Sequence, residues 1–192
     1  MALDEPLLNP GSQLCVACGL CCEGALHDLA VLRPDEIPLA FSLGMTVTET
    51  DGQVDFQLPC HLLKNGCCTV YSRRPSPCSG YRCQLLKSLE VGAIDLEEGL
   101  DKVRNAHALV RIVRDLLPQE MTLPEARTLA RAASKESAPA ANEAKLTMGK
   151  IKLQVTALIL YLDKHFRNKR EGKLLSFEKI NEKQDDLEHQ LD

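Results

Sequence analysis

The chain has 192 residues, of which 44% are hydrophobic, 26% charged and only 4% aromatic, with no tryptophan and a formal net charge of -4. That length accommodates one domain with a sizeable core, or a compact domain followed by a helical appendage. The acidic balance argues against broad electrostatic attraction to nucleic acid or to an anionic membrane, so neither is an expected partner.

In chain order, the opening MALDEPLLNPGSQL is acidic and broken by Pro6 and Pro10. It lacks the basic and continuously apolar segments of a signal peptide. CVACGLCC, residues 15 to 22, then places four cysteines in eight positions. LHDLAVLR predicts a short strand, and PDEIPLAFSLG predicts a short helix closed by Gly44, its start limited by Pro34 and Pro38. MTVTETDGQVDFQL alternates around Asp51-Gly52, a dipeptide suited to a two-residue hairpin turn, in a register that sets Val47 opposite Phe56. The hairpin delivers the chain to Pro59-Cys60 and to CHLLKNGCCTVYSRRPSPCSGYRC, residues 60 to 83, which holds five more cysteines.

From about residue 94 the character changes. Asp95 with Glu98 forms a capping-box signature ahead of Leu96, Leu100, Val103, His107, Val110, Val113 and Leu117 at helical spacing, and Pro118 ends that helix. Thr122 with Glu125 opens a second helix, LPEARTLARAASK. ESAPAANEA, interrupted by Pro139, reads as a linker or a fraying helix end. A third helix is expected from roughly Thr147 to Asn168, with Ile151, Val155, Leu158, Leu162 and Phe166 on one face. Its ALILYL run, residues 157 to 162, is the longest apolar stretch and far too short to span a bilayer. The predicted fold class is α+β and predominantly helical. It comprises a cysteine-cluster domain over 1–92 with a short hairpin, a layer of helices over 93–170, and a charged tail over 171–192. The C-terminal helices leave room for a protein partner.

Nine cysteines is an odd number, so a full set of disulfides would leave one thiol over. The expected compartment is the cytoplasm, where thiols stay reduced and dense clusters at two-residue spacing favour metal over disulfides. Cys15, Cys18 and Cys21 repeat the C-x2-C spacing twice, with Gly19 available for positive φ inside the turn. Adjacent Cys21 and Cys22 tend to point apart, which suits separate centres or a bridging sulfur better than one mononuclear site. Eight thiols in two groups satisfy two four-sulfur sites, or one cubane with thiols left for another role. C-x2-C-x2-C matches the start of a bacterial ferredoxin signature, but Ala25 stands where its next cysteine would be. Zinc would instead favour closed four-ligand sites, and spacing alone leaves zinc and an iron-sulfur centre both open. Lys64, Arg73, Arg74, Arg82 and Lys87 surround the second group and would offset the negative charge of either, although each taken singly reads as a surface charge. His61 beside Cys60 reads as solvated rather than as a substitute ligand, and His107 as a core histidine. Tyr71 and Tyr81 read as packing residues, and Cys67 as a small buried hydrophobe.

These segments resemble the YkgJ-type cysteine-cluster family, described as zinc- or iron-chelating proteins related to flagellin lysine N-methylases. The resemblance rests on C-x2-C-x2-C-C at Cys15, Cys18, Cys21 and Cys22, then Cys60. It continues through G-x-C-x-V-Y at Gly66, Cys68, Val70 and Tyr71, then Arg74, Pro75 and Cys78, and closes at Cys83. It covers about residues 14 to 84. Cys67 is extra to the pattern, and Ser79 replaces an arginine common after the cysteine. The resemblance implies metal held by Cys15, Cys18, Cys21, Cys22, Cys60, Cys68, Cys78 and Cys83, as zinc or as an iron-sulfur cluster, and assigns no reaction.

Three functions follow. The first is a metal-binding protein, whose first half would unfold on metal removal while the C-terminal helices survive. The second is an enzyme, either an iron-sulfur redox enzyme or one like the lysine N-methylases. Against methyl transfer, the chain has no glycine-rich βαβ fingerprint and no C-x3-C-x2-C radical signature. The third is a disulfide-based structural or redox protein.

Overall fold

The computed structural model describes residues 9–131 and 142–167. Within them, seven α-helices and five short strands give the α+β, mostly helical architecture expected. The first helix, α1 (Pro10–Cys18), was not foreseen. Asn9 Oδ1 accepts from the Ser12 N–H at 2.8 Å, Pro10 occupies the first turn, and Gly19 at φ 59° ends the helix with its N–H on the Cys15 carbonyl. Cys15 and Cys18 therefore lie one helical turn apart rather than in a loop.

Strand β1 (Leu29–Val31), helix α2 (Ile37–Ser42) and the hairpin strands β2 (Val47–Thr50) and β3 (Gln53–Gln57) follow. They form an antiparallel sheet in the order β1-β3-β2, with Val47 paired to Phe56 as the alternation requires. Asp51 and Gly52 both take positive φ, the geometry of a tight hairpin turn. A second hairpin joins β4 (Leu63–Lys64) to β5 (Cys67–Cys68) through Asn65 and Gly66, again at positive φ. The short helix α3 (Ser76–Ser79) and α4 (Gln84–Glu90) carry the chain out of the cysteine-rich stretch.

The Thr122–Glu125 capping box forms as read, while Asp95–Glu98 makes the N-cap bond of its box and the Glu98 carboxylate pairs with Lys102. Asp95 Oδ1 accepts from the Glu98 N–H at 2.8 Å at the start of α5 (Leu96–Leu116), and Glu125 accepts from the Thr122 N–H at 2.7 Å before α6 (Leu123–Arg131). Helix α7 (Asn142–His165) begins earlier than the expected Thr147, so 142–144 of the expected linker are helical. Positions 136–141, Asn168 and the 171–192 tail lie outside the described residues. Ile151, Val155, Leu158, Leu162 and Phe166 are all buried, as their spacing predicts.

Two apolar cores result. The larger joins Leu14 and Leu20 to Leu85 and Leu86 of α4, Val103, Val110 and Val113 of α5, Leu123 of α6 and the buried face of α7. The smaller gathers Leu32, Ala40, Met45 and Phe56 around the sheet and α2. The cysteines lie between these cores. No helix among the described residues is long and apolar enough to cross a membrane.

Candidate metal centre

Each cysteine is positioned by a local device. Cys15 and Cys18 sit on α1, and Cys21 and Cys22 lie in the turn that follows, where the Gly24 N–H bonds the Cys21 carbonyl at 3.1 Å. Cys60 donates its N–H to the Cys22 carbonyl at 2.7 Å, tying the two cysteine stretches together through backbone. Cys68 lies on β5 opposite Leu63, Cys78 rides on α3, and Cys83 caps α4, its sulfur accepting from the Leu86 N–H at 3.4 Å. Glu36 fixes α3 from across the sheet side: its carboxylate accepts from the Ser76 hydroxyl at 2.7 Å and also from the Ser76 N–H. Burial alone would raise the Glu36 pKa, but these bonds to Ser76 outweigh it and hold the carboxyl below its ordinary value.

The eight pattern cysteines all line one apolar cavity of about 250 Å³, and Cys67 does not. All nine are free thiols. Cys67 is exposed, contrary to its reading as a buried hydrophobe. In the two-residue strand β5 successive side chains alternate, so if Cys68 faces the cavity Cys67 must face away, opposite Lys64. His61 is exposed and His107 half-buried, and neither lines the cavity.

Burial pushes the Cys22 and Cys78 thiols up to about 12. It likewise raises Cys18, Cys21, Cys60 and Cys83, and neighbouring thiolates add to the effect. Buried and crowded, these sulfurs remain neutral thiols until something positive compensates them. Among the described residues no three His, Cys, Asp or Glu side chains already stand where they could hold an ion. What the fold provides is a shared cavity walled by eight soft sulfurs, the ligand chemistry of zinc and of iron-sulfur clusters, with His27, Tyr71 and Tyr81 also on its wall. The donor set fits such a centre, and binding would draw the sulfurs together as thiolates while releasing their protons.

Of the cations near the second group, Arg74 is engaged with the sulfurs. Its guanidinium stacks 3.6 Å over the Tyr71 ring, donates to the Tyr71 carbonyl at 2.9 Å and reaches Cys15 Sγ at 3.8 Å. Tyr71 is thus more than packing, because it orients this cation. Arg82 instead pairs with Glu90 at 3.0 Å. Tyr81 packs edge-on against His27, with centroids 4.7 Å apart.

Sequence reasoning missed two buried arginines. Arg127 of α6 donates to the Gly24 and Ala25 carbonyls and pairs with Asp28, while Arg167, just beyond α7, donates to Leu26 O at 3.1 Å and pairs with Asp163. Both clamp the segment that follows Cys22. For Arg127, its place beside Leu123 and Ala126 on the buried face of α6 was the available signal.

Residues 14–98 match the family model described as "CxxCxxCC: Putative zinc- or iron-chelating domain". Over less than half of the chain, this stretch is similar to a CxxCxxCC domain. No curated protein and no solved structure matches the chain. The matched stretch holds all nine cysteines and ends just inside α5, so most of α5, and all of α6 and α7, complete its core from outside the matched residues.

Proposed function

We propose that the protein binds zinc or iron through Cys15, Cys18, Cys21, Cys22, Cys60, Cys68, Cys78 and Cys83, and that it does so in the reducing cytoplasm. The observation that carries this reading is selective. Eight cysteines line one cavity and the ninth, Cys67, stays on the surface. A scatter of small buried hydrophobes would not sort in that way. The cavity is also smaller than the roughly 300–1,000 Å³ usual for organic ligands, and sulfur is its principal donor chemistry. Both features favour an inorganic centre.

Purification without oxygen, followed by metal and acid-labile sulfide analysis and a visible spectrum, tests the proposal. Zinc in a colourless protein, or iron with sulfide in a brown one, is expected, and either should be lost on Cys→Ser replacement within the eight. Metal-free protein in which the eight thiols still react freely would overturn it.

A further inference from the structure

Sequence order groups Cys22 with Cys15, Cys18 and Cys21, and Cys83 with Cys60, Cys68 and Cys78. The fold exchanges the last member of each group. Cys18, Cys21 and Cys83 pack against the helical core, and Cys15 precedes Cys18 by one turn of α1. Cys60 and Cys78 pack against the sheet core instead. Cys22 joins them through its carbonyl, which accepts the Cys60 N–H at 2.7 Å. Cys68 joins through Leu63, its partner across the β4-β5 hairpin, whose N–H bonds the Cys60 carbonyl at 3.1 Å.

We propose that the eight cysteines divide into two four-thiolate centres, Cys15, Cys18, Cys21 and Cys83 in one and Cys22, Cys60, Cys68 and Cys78 in the other. The proposal rests on the metal-binding reading above and adds the allocation. Adjacent Cys21 and Cys22 serve different centres because Cys21 packs against the helical core, whereas Cys22 is tied through its carbonyl to Cys60. Cys83 returns to the first centre because α4 packs beside α1. Four thiolates satisfy a tetrahedral zinc or a cubane cluster without a further protein donor. The crossing also links the two cores, since each centre takes ligands from both cysteine stretches.

The full-length protein loaded with an NMR-active cadmium isotope gives a direct test, because each bound ion couples to the β-protons of its own ligands. Two cadmium signals are expected, one correlated with Cys15, Cys18, Cys21 and Cys83, the other with Cys22, Cys60, Cys68 and Cys78. A signal linking Cys22 to Cys15, Cys18 and Cys21, or one set of signals shared by all eight, would overturn the division. Cobalt binding by paired variants provides a second readout. Cys18→Ser with Cys83→Ser, and Cys22→Ser with Cys60→Ser, should each keep half the metal of the parent, whereas Cys18→Ser with Cys22→Ser should keep none. The sequence-order grouping predicts the reverse. Failure of the parent protein to bind cadmium at all would remove the metal-binding reading, and the division with it.

Discussion

Arg127 shows how much a single side chain contributes to holding the cysteines in place. It is buried among the helices, and its guanidinium supplies donors to the Gly24 and Ala25 carbonyls and a charge to Asp28. Burial depresses its pKa, partly countered by Asp28. Arg127→Met should cost about 3 kcal/mol, because buried carbonyls and a carboxylate lose their partner. Urea unfolding of the metal-free protein checks this, and a loss under about 1 kcal/mol would contradict the clamp. Glu36→Gln tests the corresponding contact on the sheet side. It replaces the carboxylate that accepts from Ser76 and should destabilise by roughly 1–2 kcal/mol, with an effect on the Cys78 segment visible by hydrogen exchange. Neither residue is legible as a support from sequence, since each acts on a backbone or hydroxyl far along the chain.

At the scale of elements, legibility tracks locality. The β2-β3 register and both helix N-caps are readable because every determinant lies within a few residues. Asn65-Gly66 carries an equally local hairpin signal, and Asn9-Pro10 an equally local helix start, yet neither is among the predicted elements. Gly19 is where two such elements meet. At φ 59° a Cβ would come within 3.3 Å of the Gly66 carbonyl oxygen. Gly19→Ala should therefore cost about 1–2 kcal/mol from the left-handed backbone, with added displacement of the hairpin that carries Cys68. Thermal unfolding measures the first effect, and a lowered metal affinity would report the second.

Across the whole molecule, the proposed allocation of sulfurs and the sharing of the larger core between the cysteine-rich stretches and the C-terminal helices were invisible in the sequence because both depend on how distant elements pack. The sequence alone suggests that metal removal unfolds the cysteine-rich part and spares the helices. Instead Leu14, Leu20, Leu85 and Leu86 share one core with α5, α6 and α7, so chelation should lower the stability of both parts together. One cooperative shift in a circular dichroism melt is expected, drawing on metal binding worth on the order of 10 kcal/mol. Loss confined to a minority of the helical signal would contradict the shared core. The raised thiol pKa values add a pH dependence with a definite sign. In the metal-free protein the folded state retains thiol protons more tightly than the unfolded chain, so stability is intact below about pH 9 and falls as pH rises toward 12. Metal uptake runs the other way. It releases protons, and apparent affinity should climb with pH by up to about four decades per unit for a four-thiolate site.

Eight sulfurs line the cavity in which the proposed metal would bind, and Cys67 does not. Native alkylation followed by peptide mass spectrometry reads it residue by residue. In the metal-loaded protein Cys67 alone should be modified, and after chelation and denaturation all nine should be. Equal modification of Cys67 and the other eight while metal remains bound would contradict the account.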